Sequence, residues 1–335
     1  MKYIKIIFVN IFIFIFLALM LEYSLPYFTD ISIGRERYIK TDEYQPNSNL
    51  KYLFNGEVYK KLIDKNGFSV NNQINTKENK KSIYFLGSSN VETVYVKEGK
   101  RLSDLTISKL NRIFDDKFNG YNSSKGGLNT SHMIKHLIFK IIPQKPDYLF
   151  LMPTNDYSYL LEYNSYNKGP KTHFFKSNVF HLLKIIKDTF IPNIYVFLKS
   201  SIEFQIPELG VDDDLKIKSF SKIQETQLDE FENYFRSIVK ICNVFNIKTI
   251  IGTQFYNIEA LNGDKVEIAK FMNNEINNIV RKVSKEEGTI LLDLENLVPK
   301  NYEYMYDAGH LNEFGCDYVS NLISKIVIDL ENEGN

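Results

Sequence analysis

Between Ser82 and Glu295 the chain repeatedly sets a short apolar run ahead of a polar turn and then a helical pattern. The runs are KSIYFLG, PDYLFLMPTND, KTIIGTQF and TILLDLE. Short apolar runs bounded by polar residues read as buried strands. The intervening segments have another period. RLSDLTISKLNRIF carries Leu102, Leu105, Ile107, Leu110, Ile113 and Phe114 at close to helical spacing. Further helices are read in GGLNTSHMIKHLIFKII, ETQLDEFENYFRSIVKICNVF, KVEIAKFMNNEINNIVRKVSKEEG, and from near Asn312 to about Glu331. Strands that alternate with helices need crossover connections. The expected fold class is therefore α/β, a three-layer α/β/α sandwich around a mostly parallel sheet. Ligands in such sheets bind beyond the carboxyl ends of the strands, so any chemistry belongs just after the apolar runs.

The rest of the chain is organised around that unit. Ile4 to Leu21 is apolar apart from Lys5 and Asn10, with Lys2 and Lys5 on the N-terminal side. A spanning helix needs roughly 17–25 mostly apolar residues. The segment LALMLEYSLPYF offers no convincing small-residue cleavage site, so 1–21 is read as an uncleaved transmembrane signal anchor, a cleaved signal being the other reading. The lysines would keep the N-terminus cytoplasmic and place the remainder outside. Residues 22–80 are polar and irregular and read as a stalk and an N-terminal strap. Residues 81–335 form the expected domain, with an insertion or cap over the site at 160–220, where Lys/Asn-rich loops interrupt the pattern. KFNGYNSS is read only as a connecting segment.

Composition excludes some functions. Lysine plus arginine and aspartate plus glutamate are 41 each, so no basic excess points to nucleic acid as a partner. The two cysteines, Cys242 and Cys316, have no metal-ligand spacing, and Cys242 reads as a buried thiol. His132 and His136 are four apart on a helix, a spacing able to bind metal, but no third ligand accompanies them. Asp212 to Asp214 lack the alternating spacing of a calcium loop. No phosphate-binding glycine loop is present, so neither cofactor nor metal is expected.

Four places combine chemistry with the right position: Ser88 and Ser89, Gly126 and Gly127, Asn155 and Asp156, and Asp307 with His310. A serine hydroxyl becomes a nucleophile when a neighbouring base takes its proton. Of five histidines, His310 alone has a carboxylate three residues earlier in a glycine-containing turn. It is the natural general base, with Asp307 holding the ring in one tautomer and stabilising the imidazolium. The competing reading of this turn is an Asp cap on the following helix. Asp156 reads as a support for its loop.

These blocks, in this order, resemble the SGNH (GDSL-like) hydrolase superfamily over roughly residues 64–325. GSSNVET is similar to the GGSTTE nucleophile block of membrane-anchored bacterial members. NSSKGGLNTS, KPDYLFLMPTND and YDAGHLNEFG resemble the family's second, third and fifth blocks. The resemblance implies Ser89 as nucleophile, with Ser88 at the variable position. It also implies an oxyanion hole made by the backbone N–H groups of Ser89 and Gly127 and by the side-chain amide of Asn155. The family's glycine in the third block is Pro153 here, which implies a stiffer loop under Asn155.

The function so implied is a serine esterase of the Ser-His-Asp kind. It would act on acyl groups, acetyl above all, carried by an envelope glycan on the extracytoplasmic side of the membrane. An acyltransferase using the same residues, and a non-catalytic envelope assembly or binding protein, are the alternatives.

Overall fold

A computed structural model describes residues 2–28, 43–44, 46–54, 56–70, 80–154, 156, 190–191, 193–194, 197–198, 225–261 and 263–333. Asn155, Asp212 to Asp214 and most of the 160–220 insertion lie outside the described residues.

The apolar N-terminus forms α1 (Lys2–Phe28). Its stretch Lys5–Leu25, of mean hydropathy 2.5, is long and apolar enough to cross a membrane. Glu22 and Leu25 are buried near its end, and the Glu22 carboxylate accepts the backbone N–H groups of Asn193 and Ile194 at 2.8 and 2.9 Å.

The next described residues are more regular than their composition implies. They form β1 (Asn49–Phe54), β2 (Glu57–Ile63) and β3 (Ser69–Val70). Then come β4 (Lys81–Gly87), α2 (Ser89–Glu92), α3 (Leu102–Ile113) and β5 (Phe118–Asn122). They are followed by α4 (Thr130–His136), β6 (Tyr148–Met152), α5 (Glu225–Val244) and β7 (Lys248–Gly252). The chain ends with α6 (Asp264–Phe271), α7 (Asn277–Glu286), β8 (Ile290–Leu292), α8 (Leu294–Leu297) and α9 (Glu313–Glu333).

The described strands make one sheet in the order β1-β2-β3-β5-β4-β6-β7-β8. From β5 to β8 every pairing is parallel, as the alternation of strand and helix requires. From β1 to β5 the pairings are antiparallel, so residues 49–70 extend the sheet at one edge. The segment expected as a connection supplies β5, a strand between β3 and β4.

Successive residues of a strand face opposite sides of the sheet, and here both sides are apolar. Tyr84, Leu86, Leu149, Leu151 and Ile251 pack with Met133, Phe231, Phe235, Val239 and Val280, the layer of α4, α5 and α7. Ile83, Phe85, Tyr148, Phe150 and Ile250 pack with Leu102, Leu110, Val319, Ile323 and Val327, the layer of α3 and α9. Strands buried on both faces read as continuous apolar runs, which is why β4, β6 and β7 are the most legible in the sequence. Three layers result, and β4 to β7 all end on the same rim.

Candidate active site

β4 ends at Gly87, and the chain turns at once into α2. A side chain at Gly87 would collide with Val91 of α2, so glycine is what lets this short helix close over the strand end. The turn leaves Ser88 buried and Ser89 partly exposed at the rim.

The opposite wall comes from the turn before α9. Tyr306 N–H donates to the His310 carbonyl at 3.1 Å and Asn312 N–H to the Tyr304 carbonyl at 3.0 Å, folding 304–312 back on itself. Gly315 lies so close to the Tyr304 carbonyl that no side chain fits there. Asn257 N–H, beyond the end of β7, donates to the Ala308 carbonyl at 2.8 Å and pins the turn over the rim.

These two pieces bring distant residues together. His310 Nε2 lies 2.8 Å from Ser89 Oγ, and His310 Nδ1 lies 2.9 and 2.8 Å from the two oxygens of Asp307. Asp307 Oδ1 also accepts the backbone N–H groups of Gly309 and His310, both at 2.8 Å, so the carboxylate is fixed from two directions. The cap of α9 is Asn312, which accepts from Gly315 N–H at 3.0 Å. Asp307 is therefore occupied with His310 and with its own turn. The Tyr306 ring lies parallel to the His310 ring, 5° between planes and 5.5 Å between centroids. Asp307 and His310 side chains are 17% and 31% exposed, open enough for a ligand to reach the imidazole.

The glycine turn follows β5. Ser123 N–H donates to the Phe85 carbonyl at 2.8 Å, and Asn122 Nδ2 donates to the Val91 carbonyl at 2.9 Å, tying this turn to the Ser88-Ser89 turn. A Cβ on Gly126 would lie 3.7 Å from Ser89 Cβ. Gly127 has φ of +86°, and its N–H donates to Ser88 Oγ at 2.9 Å. In this structure the expected oxyanion donor of Gly127 thus engages the neighbouring serine. Asp156 Oδ1 accepts the Thr130 N–H at 2.9 Å, anchoring the start of α4.

The remaining singled-out residues sit elsewhere. His132 and Asn129 exchange side-chain and backbone hydrogen bonds in a capping box, and buried His136 contacts Ser123 Oγ at 3.0 Å. Cys242 and Cys316 are buried thiols with no disulfide, and burial pushes Cys242 up to about 11. Among the described residues no group of three potential ligands could hold a metal.

Three contributors escape the sequence patterns. Asn90 Nδ2 donates to the Gly309 carbonyl, bridging the serine and histidine walls. Glu92 closes α2 and is buried. One aromatic ring from the strap backs the ring that stacks on the histidine: Phe54 stacks on Tyr95 at 4.5 Å between centroids and lies 5.4 Å from Tyr306. Aromatic residues in a polar strap are the available signal.

A hydroxyl, an imidazole and a carboxylate in one hydrogen-bonded line can transfer a proton from oxygen to nitrogen while stabilising the charge that appears on the ring. No family model matches the chain, and no curated protein does. Among solved structures, one described as a GDSL-like lipase from Parabacteroides merdae is similar at 16% identity, covering 74% of this chain and 95% of that one with a TM-score of 0.47. The acetyl xylan esterase AlAXEase is similar at 16% identity over 73% of this chain and 99% of that one, TM-score 0.46. The acetylxylan esterase Axe2 from Geobacillus stearothermophilus is similar at 13% identity over 74% and 95%, TM-score 0.47.

Proposed function

We propose that the protein is an SGNH-type serine esterase that removes acyl groups, acetyl above all, from an envelope glycan. Membrane attachment through α1 and an extracytoplasmic catalytic domain belong to the same reading. The observation that carries it is the line Ser89 Oγ–His310 Nε2 and His310 Nδ1–Asp307, at 2.8 Å for each of its closest contacts, on the carboxyl rim of a parallel sheet.

Ser89 Oγ attacks the ester carbonyl carbon while its proton passes to His310 Nε2. The tetrahedral intermediate collapses when His310 returns that proton to the leaving sugar oxygen, leaving an acyl-Ser89. Water then attacks the acyl carbon with His310 again as base, and the acid and free serine are released. Asp307 holds the imidazolium through Nδ1. Backbone N–H groups of Ser89 and Gly127 and the Asn155 amide are the donors assigned to the oxyanion. The charged oxygen would draw the Gly127 N–H away from neutral Ser88 Oγ, since hydrogen bonds to ionised groups are the stronger ones.

The test is labelling with a fluorophosphonate probe together with acetate release from acetylated xylan. Wild type should label and release acetate, and Ser89→Ala should do neither. Equal labelling of Ser89→Ala would remove the assignment. Acetyl transfer to a sugar hydroxyl, measured in the same reaction, distinguishes a transferase from a hydrolase.

A further inference from the structure

A second buried polar group lies beneath the nucleophile turn and takes no part in proton transfer. Lys61 of β2 is fully buried, and its ammonium sits 2.6 Å from Glu92 Oε1. Tyr44 donates to the same oxygen, and its ring lies 4.2 Å from the ammonium. The other carboxylate oxygen, Glu92 Oε2, accepts the N–H of Gly126 at 2.6 Å. One side chain thus joins the strap, the helix that carries Ser89 and the glycine turn whose next residue is Gly127.

Anchoring the strap does not require this chemistry. Well-packed apolar residues replace buried ion pairs with equal or better stability. An apolar pair could not accept the Gly126 N–H, and a Glu92 carboxylate without a cation would not stay ionised so far from water. The aromatic ring and the ammonium leave the carboxylate one orientation, with Oε2 toward Gly126.

We propose that Lys61 is a positioning residue for the oxyanion turn: it fixes the Glu92 carboxylate, which fixes Gly126 and so holds Gly127, whose N–H rests on Ser88 Oγ, in the turn next to Ser89. The inference rests on the esterase reading of Ser89. It makes the strap that follows the apolar helix a part of the active site.

The charges are consistent with this role. Burial pushes the Lys61 ammonium down to about 8 against the pull of Glu92, with Arg101 and Lys125 adding to the lowering. Burial acts to raise Glu92, but the charge and hydrogen bond of Lys61, the Tyr44 hydroxyl and the Gly126 N–H outweigh it, and its carboxyl lies below the ordinary value. Tyr44, the remaining group against Lys61, is held well above its ordinary value by burial and by Glu92. At neutral pH the pair is ionised, and the first of these groups to change charge in mild alkali is Lys61.

The experiment compares full-length wild type, Lys61→Met and the Lys61→Met/Glu92→Gln double variant in detergent, with p-nitrophenyl acetate as substrate. Melting curves establish that each is folded at the assay temperature. Lys61→Met should lose about 10–100-fold in kcat with KM changed less than about threefold, the size expected when a donor is misaimed rather than removed. The double variant leaves no unpaired buried charge and keeps a carbonyl for Gly126, so it should recover at least about tenfold of that loss. The fall of wild-type kcat above about pH 8 should be absent in both variants, which lack the titrating ammonium. A folded Lys61→Met with wild-type kcat and pH profile overturns the inference while leaving the esterase standing. If Lys61→Met does not fold, the pH profile of the double variant decides, and an alkaline fall retained there overturns the inference. If wild type neither turns over the ester nor labels with fluorophosphonate, the esterase reading falls and this inference falls with it.

Discussion

Asn90 stands one position after Ser89 and spends its side-chain N–H on the Gly309 carbonyl, at the far wall of the candidate site. A single hydrogen bond of this kind contributes about 1 kcal/mol net, and a slightly larger loss at a transition state is tenfold in rate. Asn90→Ala should therefore lower kcat for p-nitrophenyl acetate by about tenfold and the melting temperature by a few degrees. Ser88 is the contrasting case. Its hydroxyl accepts from Gly127 and does not touch the imidazole partner of Ser89. Ser88→Ala should keep fluorophosphonate labelling and hold kcat within about tenfold of wild type, and mass spectrometry should still find the probe on Ser89. Ser89, Asp307 and His310 are legible in the sequence because each block carries its own small-residue turn. Asn90 and Lys61 are not, because their roles depend on partners from remote segments, Gly309 and Glu92, that no local pattern announces.

At the scale of elements, the serine is placed by the fit of α2 on the end of β4. An added methyl at Gly87 meets Val91 and, at 3.0 Å, the Met152 carbonyl. Gly87→Ala should cost about 1–3 kcal/mol in a urea titration, the usual cost of overpacking, and should reduce labelling of Ser89 because α2 must shift to make room. Another glycine explains why β5 is hard to see in the sequence. FNGYN carries an Asn-Gly pair that reads as a turn. Gly120 is there because the Ile107 side chain of α3 rests directly on the strand and leaves no space for a Cβ. The strap hides its strands differently. Phe54 pairs with Glu57 across the sequence Asn-Gly, a strong hairpin signal, yet the interspersed lysines and the preceding Pro46 make the segment look irregular.

For the molecule as a whole, the parallel strands β4, β6, β7 and β8 follow from their apolar runs, whereas β5 and the antiparallel edge do not show in the sequence pattern. Stability should follow the carboxylates that the fold holds ionised. Glu92 lies below its ordinary value, and so does Asp293, where burial is outweighed by hydrogen bonds from Arg281, Thr253 and Asn296. Groups whose folded values are depressed contribute stability that is present above the unfolded carboxylate range and lost as pH falls through the folded values. The melting temperature should hold steady near neutrality and drop below about pH 4, with a shallower drop in Glu92→Gln, as followed by circular dichroism.

The edge strands also fix an order of events during synthesis. β3 reaches the sheet only through β5, where Ser69 meets Asn122, and β5 in turn needs β4 beside it. The strap leaves the ribosome before any of these partners exist, so the part of the chain made early is docked late, after a non-local closure of the kind that slows folding. Until that closure Lys61 is a hydrated ammonium on an unpaired strand. Its burial against Glu92 is complete only once that closure has joined β3 to β5.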